Sequence, residues 1–308
     1  MVDPLAEVVS LLQPVARFSK VVGGAGSWRV RRTEAGQPFY CVVLEGAFLL
    51  SVDGHAPRIL QNGDFVLIPS AYSFTNSSLV PPAPEDADST PILLPHGELR
   101  LGHPDGPPDV RLLVGHCAFA SPDAALLVSL LPQLVHVRGD PRLATLVQLV
   151  SEESRAQRPA RDVILAHLLE VLLIEAFRST AGIDMGARTA PSLARGLADV
   201  RLAAALRRMH ESPSLPWTVA QLAQEAALSR SAFFDRFSRA MGVAPMEYLL
   251  AWRMALAKRM LWSRVASIAE VAEQVGYSSA STFSVAFTRH VGLPPARYAR
   301  EQLASQPA

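Results

Sequence analysis

The chain has 308 residues, which is enough for two or three domains with their own hydrophobic cores. Hydrophobic residues make up 49% and charged residues 19%, a globular composition that excludes an intrinsically disordered chain. The formal net charge is +1, but residues 196–302 hold 13 Arg and Lys against 8 Asp and Glu. That basic excess favours a phosphate-binding surface in this segment.

Cysteine count and hydropathy limit the class of protein further. Cys41 and Cys117 are too few for a disulfide framework or a structural zinc site. The first residues lack a basic segment followed by a long apolar core, and the leucine-rich stretch 163–177 contains a histidine and two glutamates. We therefore expect no signal peptide, no membrane span and a cytoplasmic location.

The first 120 residues combine a short helix with a β-rich region. The helix is amphipathic, with apolar positions at Leu5, Val8, Val9 and Leu12. From Gly24 to about Ala120, short apolar segments alternate with Gly, Pro and Asp turns, which favours a barrel or sandwich. Residues 81–109 are rich in prolines and acids, and their length predicts a flexible lid or a partly disordered loop.

The β region resembles the cupin-like sensor domain of the AraC family in the stretch LEGAFLLSVDGHAPRILQNGDFVLIPSAYSFTN. In cupins a Gly, five residues and a Pro lead into a metal-ligand His. Gly63 and Pro69 fit this pattern, but Phe74 stands where the His would fall, and the upstream His-x-His pair is absent. Imidazoles build such metal sites, so we expect neither a metal nor another cofactor, and no cupin oxygenase chemistry. The histidines of this region are scattered: His55, His96, His103 and His116.

Residues 122–180 change to a helical pattern. In the stretch RDVILAHLLEVLLIEAFR, apolar residues occupy more than one face of a long helix. Such a helix needs more than one packing partner. One face can cover the barrel, and the other can pair with a second chain in a two-fold dimer, although a fully internal core helix is the alternative. The small, aperiodic segment that follows predicts a linker at 181–195.

The C-terminal third contains one pattern twice, with an offset of 50 residues. Ser267 can cap a first helix, Gly276 ends it, and Ser278 or Ser279 can cap a second helix. On that second helix a Phe pair shares one face and is followed by Arg-x-x-Gly-x-x-Pro-x-x-Tyr. The first copy lies at 217–250, and a basic helix connects the two copies. Two short helices held by a turn are typical of the helix-turn-helix, whose second helix enters the major groove of DNA.

With this duplication, the chain resembles the AraC/XylS family of transcription regulators over about 100 residues. The resemblance implies a seven-helix DNA-binding domain, a ligand-sensing and dimerising N-terminal domain, and control of transcription initiation. The implied partners are double-stranded DNA, RNA polymerase, a second copy of the chain and a small-molecule effector of unknown identity. Two recognition helices about 34 Å apart would reach successive major grooves.

Helix geometry and the resemblance together give candidate DNA-contacting residues. If the buried Phe pair faces the core, the base-facing candidates of the first recognition helix are Arg230, Ser231, Phe234 and Asp235. Phe234 could instead be a core residue. The candidates of the second helix are Ser281 and Ser284, while Val285 occupies a place where the family often has Arg. We expect the phosphate contacts from Ser229, Arg239, Ser278 and Arg289. The first unit should therefore supply most of the specificity, and the second should mainly position the protein.

The sequence predicts an α+β multi-domain chain: a cupin-like sensor domain at 1–121, a helical dimerisation segment at 122–180, the linker, and an all-α double helix-turn-helix domain at 196–304. An effector would lie in the barrel, near Trp28, Tyr40 and Phe74. One alternative is a redox sensor that switches through the two cysteines, although thiols within apolar strands are more often inert. The other alternative is a cupin-type enzyme, which the missing histidines oppose. Activation or repression is left open.

Overall fold

The computed structural model describes residues 2–32, 38–70, 73–95, 97–121, 123–156, 158–181, 191–263 and 266–304. These residues form two compact units. The β unit takes in the described residues of 12–120 and 131–181, and the helical unit those of 2–11, 121–130 and 191–304. A β-rich N-terminal domain and an all-α C-terminal domain were predicted, and this fold class is confirmed.

The strands of the β unit are β1 (Pro14–Ala25), β2 (Arg29–Arg32), β3 (Phe39–Glu45), β4 (Ala47–Val52), β5 (Arg58–Gln61), β6 (Phe65–Ile68), β7 (Phe74–Ser77), β8 (Ile92–Leu93), β9 (Leu99–Gly102), β10 (Val110–Phe119) and β11 (Val135–Val137). They form a seven-stranded sheet in the order β11-β6-β3-β10-β1-β9-β8 and a four-stranded sheet in the order β2-β7-β4-β5. β1 begins at Pro14 and not near Gly24 as expected, because its first half pairs antiparallel with β10.

The core of this unit lies between the two sheets. Alternate residues of β3, including Phe39, Cys41 and Val43, enter it from the seven-stranded sheet. Phe48 and Leu50 of β4 enter it from the four-stranded sheet. The side chains of both sheets thus fill one apolar layer, as in a β-sandwich or flattened barrel.

The proline-rich segment that was predicted to be a flexible or disordered loop is held by one buried arginine. Arg29 pairs through Nε with Asp88 at 3.0 Å. Its Nη1 also donates to the carbonyl of Ala83 at 3.1 Å, and its Nη2 to the carbonyl of Asp86. The segment further contains strands β8 and β9. Its partners lie more than fifty positions from Arg29, so no local pattern revealed them.

The helices are α1 (Pro4–Leu12), α2 (Ala124–Ser129), α3 (Pro141–Arg155), α4 (Arg161–Ala181), α5 (Leu193–Ala198), α6 (Val200–Glu211), α7 (Val219–Glu225), α8 (Arg230–Met241), α9 (Pro245–Ser263), α10 (Ile268–Gln274), α11 (Ala280–Val291) and α12 (Pro295–Ala304). α3 and α4 pack on each other and on the seven-stranded sheet. Among the helices of the described ranges, none is long and apolar enough to cross a membrane.

The predicted domain boundaries differ from the compact units in two places. Residues 2–11 belong to the helical unit, although the sequence assigned them to the sensor domain. The described residues of 121–130 also belong to the helical unit, although the sequence assigned nearly all of them to the dimerisation segment. Most of the predicted linker falls on residues 182–190, outside the described part of the chain.

Candidate nucleic-acid interface

Each half of the helical unit contains a capped pair of short helices. In the first half, Thr218 caps α7 in a capping box with Gln221, and Ser229 caps α8. In the second half, Ser267 forms the same box with Glu270 at the start of α10. Both helix-turn-helix units therefore begin with matching local chemistry.

The cap of the second recognition helix α11 is Ser279, which accepts a hydrogen bond from the backbone N–H of Thr282. Of the two serines left open by the sequence, Ser278 is therefore not the cap and lies exposed in the turn. The offset of 50 residues already points to Ser279, because Ser229 caps the first recognition helix. Ser278 stays a phosphate candidate by exposure alone.

In both helix-turn-helix units, the residue that follows the C-cap of the first helix has a left-handed backbone conformation. Ala227 has φ +50° in the first turn, and Gly276 has φ +83° in the second. The next residue then donates its N–H back to the first helix, from Leu228 to Ala223 at 2.9 Å and from Tyr277 to Ala272 at 2.8 Å. This backbone bond closes the C-terminal end of the first helix of each unit and so sets the direction in which the turn leaves it.

A repeated aromatic ladder fixes the orientation of both recognition helices. In the first unit, Phe233 and Phe237 are buried, with ring centroids 5.5 Å apart, and Phe237 meets Tyr248 edge-on at 5.8 Å. In the second unit, Phe283, Phe287 and Tyr298 repeat the arrangement at 5.4 and 5.5 Å. The Phe pairs were predicted to face the core, and this is confirmed.

The outward face of α8 is polar, with one exposed aromatic ring. Ser231 and Asp235 lie opposite the buried Phe pair and are exposed, as are Arg230 at the helix start and Arg239 one turn on. Phe234 is 43% exposed, which excludes the alternative that it is a core residue. The base-facing candidates of this helix therefore share one accessible surface.

The outward face of α11 is formed by Ser281, Val285 and Arg289, at intervals of one helical turn. Val285 is 72% exposed. Ser284 is only half-buried, and its hydroxyl donates to the carbonyl of Ala280 at 2.7 Å. Ser284 therefore lies at the edge of this face.

A groove of about 840 Å³ lies along α11. Its walls include Leu250 of α9 together with Tyr277, Ser281, Val285, Arg289 and His290. No carboxylate lines it, and all of its lining lies within the described residues. The groove is thus apolar along its walls and basic at Arg289 and His290.

The arginine and lysine residues of the connecting helix α9 mostly serve structure. The guanidinium of Arg253 donates to the carbonyls of Pro213 and Leu215, each at 2.7 Å. Lys258 pairs with Asp123. Two of the three residues of the predicted basic face of α9, Arg253 and Lys258, therefore bind partners within the helical unit.

Both parts of the chain are similar to known proteins. The chain matches the family described as Cupin over residues 3–182 and the family described as Helix-turn-helix domain over residues 222–301. It is 35% identical over 301 residues to an AraC-like transcription regulator of Streptomyces lividans, an alignment that covers 96% of this chain and 97% of that protein. It is also 35% identical over 306 residues to one of Streptomyces antibioticus, covering 98% of this chain and 99% of that protein.

The chain belongs to the AraC-like transcription regulators. It is a DNA-binding regulator with a cupin-like N-terminal domain, as the sequence predicted. Among solved structures, the DNA-binding domain of AdpA, the global transcriptional factor, in complex with a target DNA is 31% identical. That comparison has a TM-score of 0.33 and covers 34% of this chain and 95% of the other.

In this AraC-like regulator, a buried histidine connects α1 to the DNA-binding helices. Because a carboxylate only accepts, the Nδ1–H of His210 donates to Glu7 Oε2 at 2.7 Å. Its Nε2 then accepts from the hydroxyl of Tyr248 at 2.7 Å. The imidazole also stacks on Trp252, with centroids 4.0 Å apart. Burial lowers the pKa of His210, while Glu7 acts in the opposite direction. This cluster could not be predicted from the sequence, because Glu7 and His210 are 203 positions apart.

The three effector candidates of the cupin-like domain do not share one space. Trp28 and Phe74 are buried in the layer between the sheets. Tyr40 is also buried, but alternation along β3 places it on the other face, with its ring over Gly115. Only Trp28 and Phe74 can therefore contribute to one site between the sheets.

The cysteines and histidines of the cupin-like domain supply little reactive chemistry. Cys41 and Cys117 are fully buried, and burial raises the pKa of each thiol to about 12. Within the described residues, no group of three or more His, Cys, Asp or Glu could hold a metal ion. His96, one of the scattered histidines, lies outside those residues.

Proposed function

We propose that this AraC-like regulator recognises a specific duplex sequence through both helix-turn-helix units and that a small molecule bound by the cupin-like domain controls it. The observation that carries the proposal is the duplicated recognition helix, capped by Ser229 and Ser279 and oriented by the same aromatic ladder. Two equal helices in one chain match two major-groove contacts on one duplex.

The two helices have different tasks in this proposal. Ser231, Phe234 and Asp235 of the first helix supply most of the base discrimination, since Asp accepts from cytosine N4 and an aromatic ring contacts a thymine methyl. Arg230 adds a donor at the helix start. The serines near both helix starts, together with exposed arginines, hold phosphates: Ser229, Ser278, Arg239 and Arg289.

Selection of bound duplexes from a random pool tests the proposal with the full-length protein. Asp235→Ala should relax the preference at one base pair by roughly 5- to 150-fold, because one base contact contributes about 1–3 kcal/mol. Arg239→Ala and Arg289→Ala should weaken binding to all sequences and lower the salt dependence by about one counterion each. Arg58→Ala, an exposed arginine of the β unit, is the control with equal charge change. Absence of any enriched sequence would refute the proposal.

Control by an effector rests on the cupin-like domain and its apolar layer. We place the small molecule near Trp28 and Phe74, which lie in the apolar layer between the two sheets. Thermal-shift screening of the full-length chain tests this, because a ligand stabilises the state that binds it. A hit whose shift persists in Phe74→Ala would place the site elsewhere.

A second copy of the chain and RNA polymerase complete the proposed assembly. Exposed apolar residues on α4, Ile164 and Val171, are seven positions apart and so lie on one side of the helix. This outward side supports pairing of two chains about a two-fold axis. The paired regulator would then act on transcription initiation by RNA polymerase.

A further inference from the structure

The outward faces of the two recognition helices differ most at one corresponding position. Asp235 on α8 is replaced, fifty residues later, by Val285 on α11. Val285 lies two residues from each buried phenylalanine of its helix and therefore points roughly 160° away from the core. Its side chain is 72% exposed. An apolar side chain thus occupies the centre of the face that would enter the DNA.

The hydroxyl groups around Val285 already have partners within the helix. The hydroxyls of Ser281 and Thr282 each lie 2.9 Å from Ser279 Oγ at the cap. Ser284 donates to the carbonyl of Ala280 at 2.7 Å. These hydroxyls can still accept a hydrogen bond from a base, so the local bonds limit donation to bases, whereas apolar contact displaces none of them.

The charge of the surrounding groove fits a polyanion. Arg289 lies one turn beyond Val285, His290 follows it, and the lining contains no carboxylate. Leu250 of α9 adds a second exposed apolar side chain, 38% accessible, to the same groove. An occupant that carries an anionic group beside Arg289 and an apolar group beside Val285 would match this lining. Duplex DNA does so in the major groove at the C5-methyl group of thymine.

We propose that the second helix-turn-helix unit reads thymine, with Val285 packing against a thymine methyl group and Arg289 contacting a neighbouring phosphate. The inference rests on the proposed function, because α11 must enter the major groove. It makes the second unit selective through apolar contact, although it has few free hydrogen-bonding groups. Burial of one methyl group should change affinity by about fourfold, less than a paired hydrogen-bond contact.

Single replacement of each thymine by deoxyuridine in the selected duplex tests the inference with full-length protein. Deoxyuridine keeps every hydrogen-bonding group and removes only the methyl group. We expect at least one replacement to weaken the natural protein by about fourfold and to leave the Val285→Ala variant unchanged, whereas a penalty that arises at Phe234 should persist in that variant. Val285→Ile should keep the penalty. Val200→Ala should also keep it, because Val200 is an equally exposed valine (84%) on α6.

Two results would overturn the inference. In one, no deoxyuridine replacement weakens the natural protein; in the other, every penalty persists in Val285→Ala. Both leave the proposed function intact, since the selected duplex is still bound. Failure to bind any duplex would refute the proposed function and this inference together. Alanine is a good helix former and Val285 is exposed, so loss of the fold is not expected in the variant, and circular dichroism checks this.

Discussion

Ala227 and Gly276 occupy the same place in the two turns but differ in the strain they impose. Both have positive φ, where a Cβ atom is unfavourable by about 1–2 kcal/mol. Ala227→Gly should therefore raise the free energy of unfolding, by up to about 1 kcal/mol after the added entropy of the unfolded glycine. Urea denaturation followed by tryptophan fluorescence measures the change.

Gly276→Ala is the opposite case, and it should lower the free energy of unfolding by at least about 1 kcal/mol. A Cβ atom at Gly276 would lie 2.6 Å from the carbonyl oxygen of Ser214, and backbone cannot easily move away. Equal effects of both substitutions, in the same direction, would show that the left-handed geometry of these turns is not what determines their stability.

The two thiols bear on the alternative of a redox sensor. Cys41 and Cys117 are fully buried, and a pKa of about 12 leaves almost no thiolate at neutral pH. We expect neither thiol to react with a maleimide in the native protein within minutes, and both to react fully in urea. Mass spectrometry counts the labels. Rapid labelling of one thiol in the native state would restore the redox alternative.

At the scale of elements, the helix starts were predictable from sequence and the strand ends were not. Ser229 and Ser267 act as caps through bonds to residues three positions away, so the signal is local. β11 and the first half of β1 are defined by pairing with β6 and β10, far along the chain. A strand as short as β11, with three residues, offers too few positions for an alternating pattern to be recognised in the sequence.

The same distinction applies to the candidate site. The buried Phe pairs and the exposed Asp235 follow from helical periodicity. The groove beside Val285 required the packing of α9 against the second unit, which residue spacing does not contain. The contacts of Arg29 with the proline-rich segment were also not predicted, because they join residues far apart in the sequence.

The exposed side of α4 gives a prediction at this scale. Ile164→Glu and Val171→Glu should each weaken the proposed dimer at least about tenfold, because a buried unpaired charge at an interface centre is strongly unfavourable. Ile59→Glu, on an exposed strand of the same unit, is the matched control. Sedimentation velocity at several concentrations gives the association constant. If the association constant is unchanged in both α4 variants, the dimer interface does not lie on this side of α4.

At the scale of the whole molecule, residues far apart in sequence belong to one compact unit. Sequence composition separated the β-rich and helical parts correctly, but it did not assign α1 and residues 121–130 to the helical unit. Their contacts with the rest of this unit include two ion pairs, Glu7 with His210 and Asp123 with Lys258, besides the buried apolar residues of α1. A DNA-binding fragment that starts at residue 191 would lack both acidic partners.

The contact between Glu7 and His210 should stabilise the helical unit in a pH-dependent way. Glu7→Ala leaves the buried Nδ1–H of His210 without its acceptor, which should lower the free energy of unfolding by about 1–3 kcal/mol at pH 7.5. Glu7→Gln keeps an acceptor oxygen at that position, so its effect at this pH should be smaller. Thermal unfolding followed by tryptophan fluorescence measures the change, and Trp252, which stacks on His210, is one of the four tryptophans that contribute to the signal.

The fall in the free energy of unfolding at acidic pH distinguishes the effect of the charge of Glu7 from that of its hydrogen bond. Because burial lowers the pKa of folded His210 below 6.5, the folded state binds fewer protons than the unfolded state in that window. Stability is therefore full above about pH 6.5 and falls as the pH drops towards the lowered value. Glu7→Gln removes the group that opposes this shift, so its loss of stability between pH 6.5 and 5 should be steeper than that of the natural protein. Parallel acid limbs in the two proteins would mean that Glu7 does not act on the charge of His210.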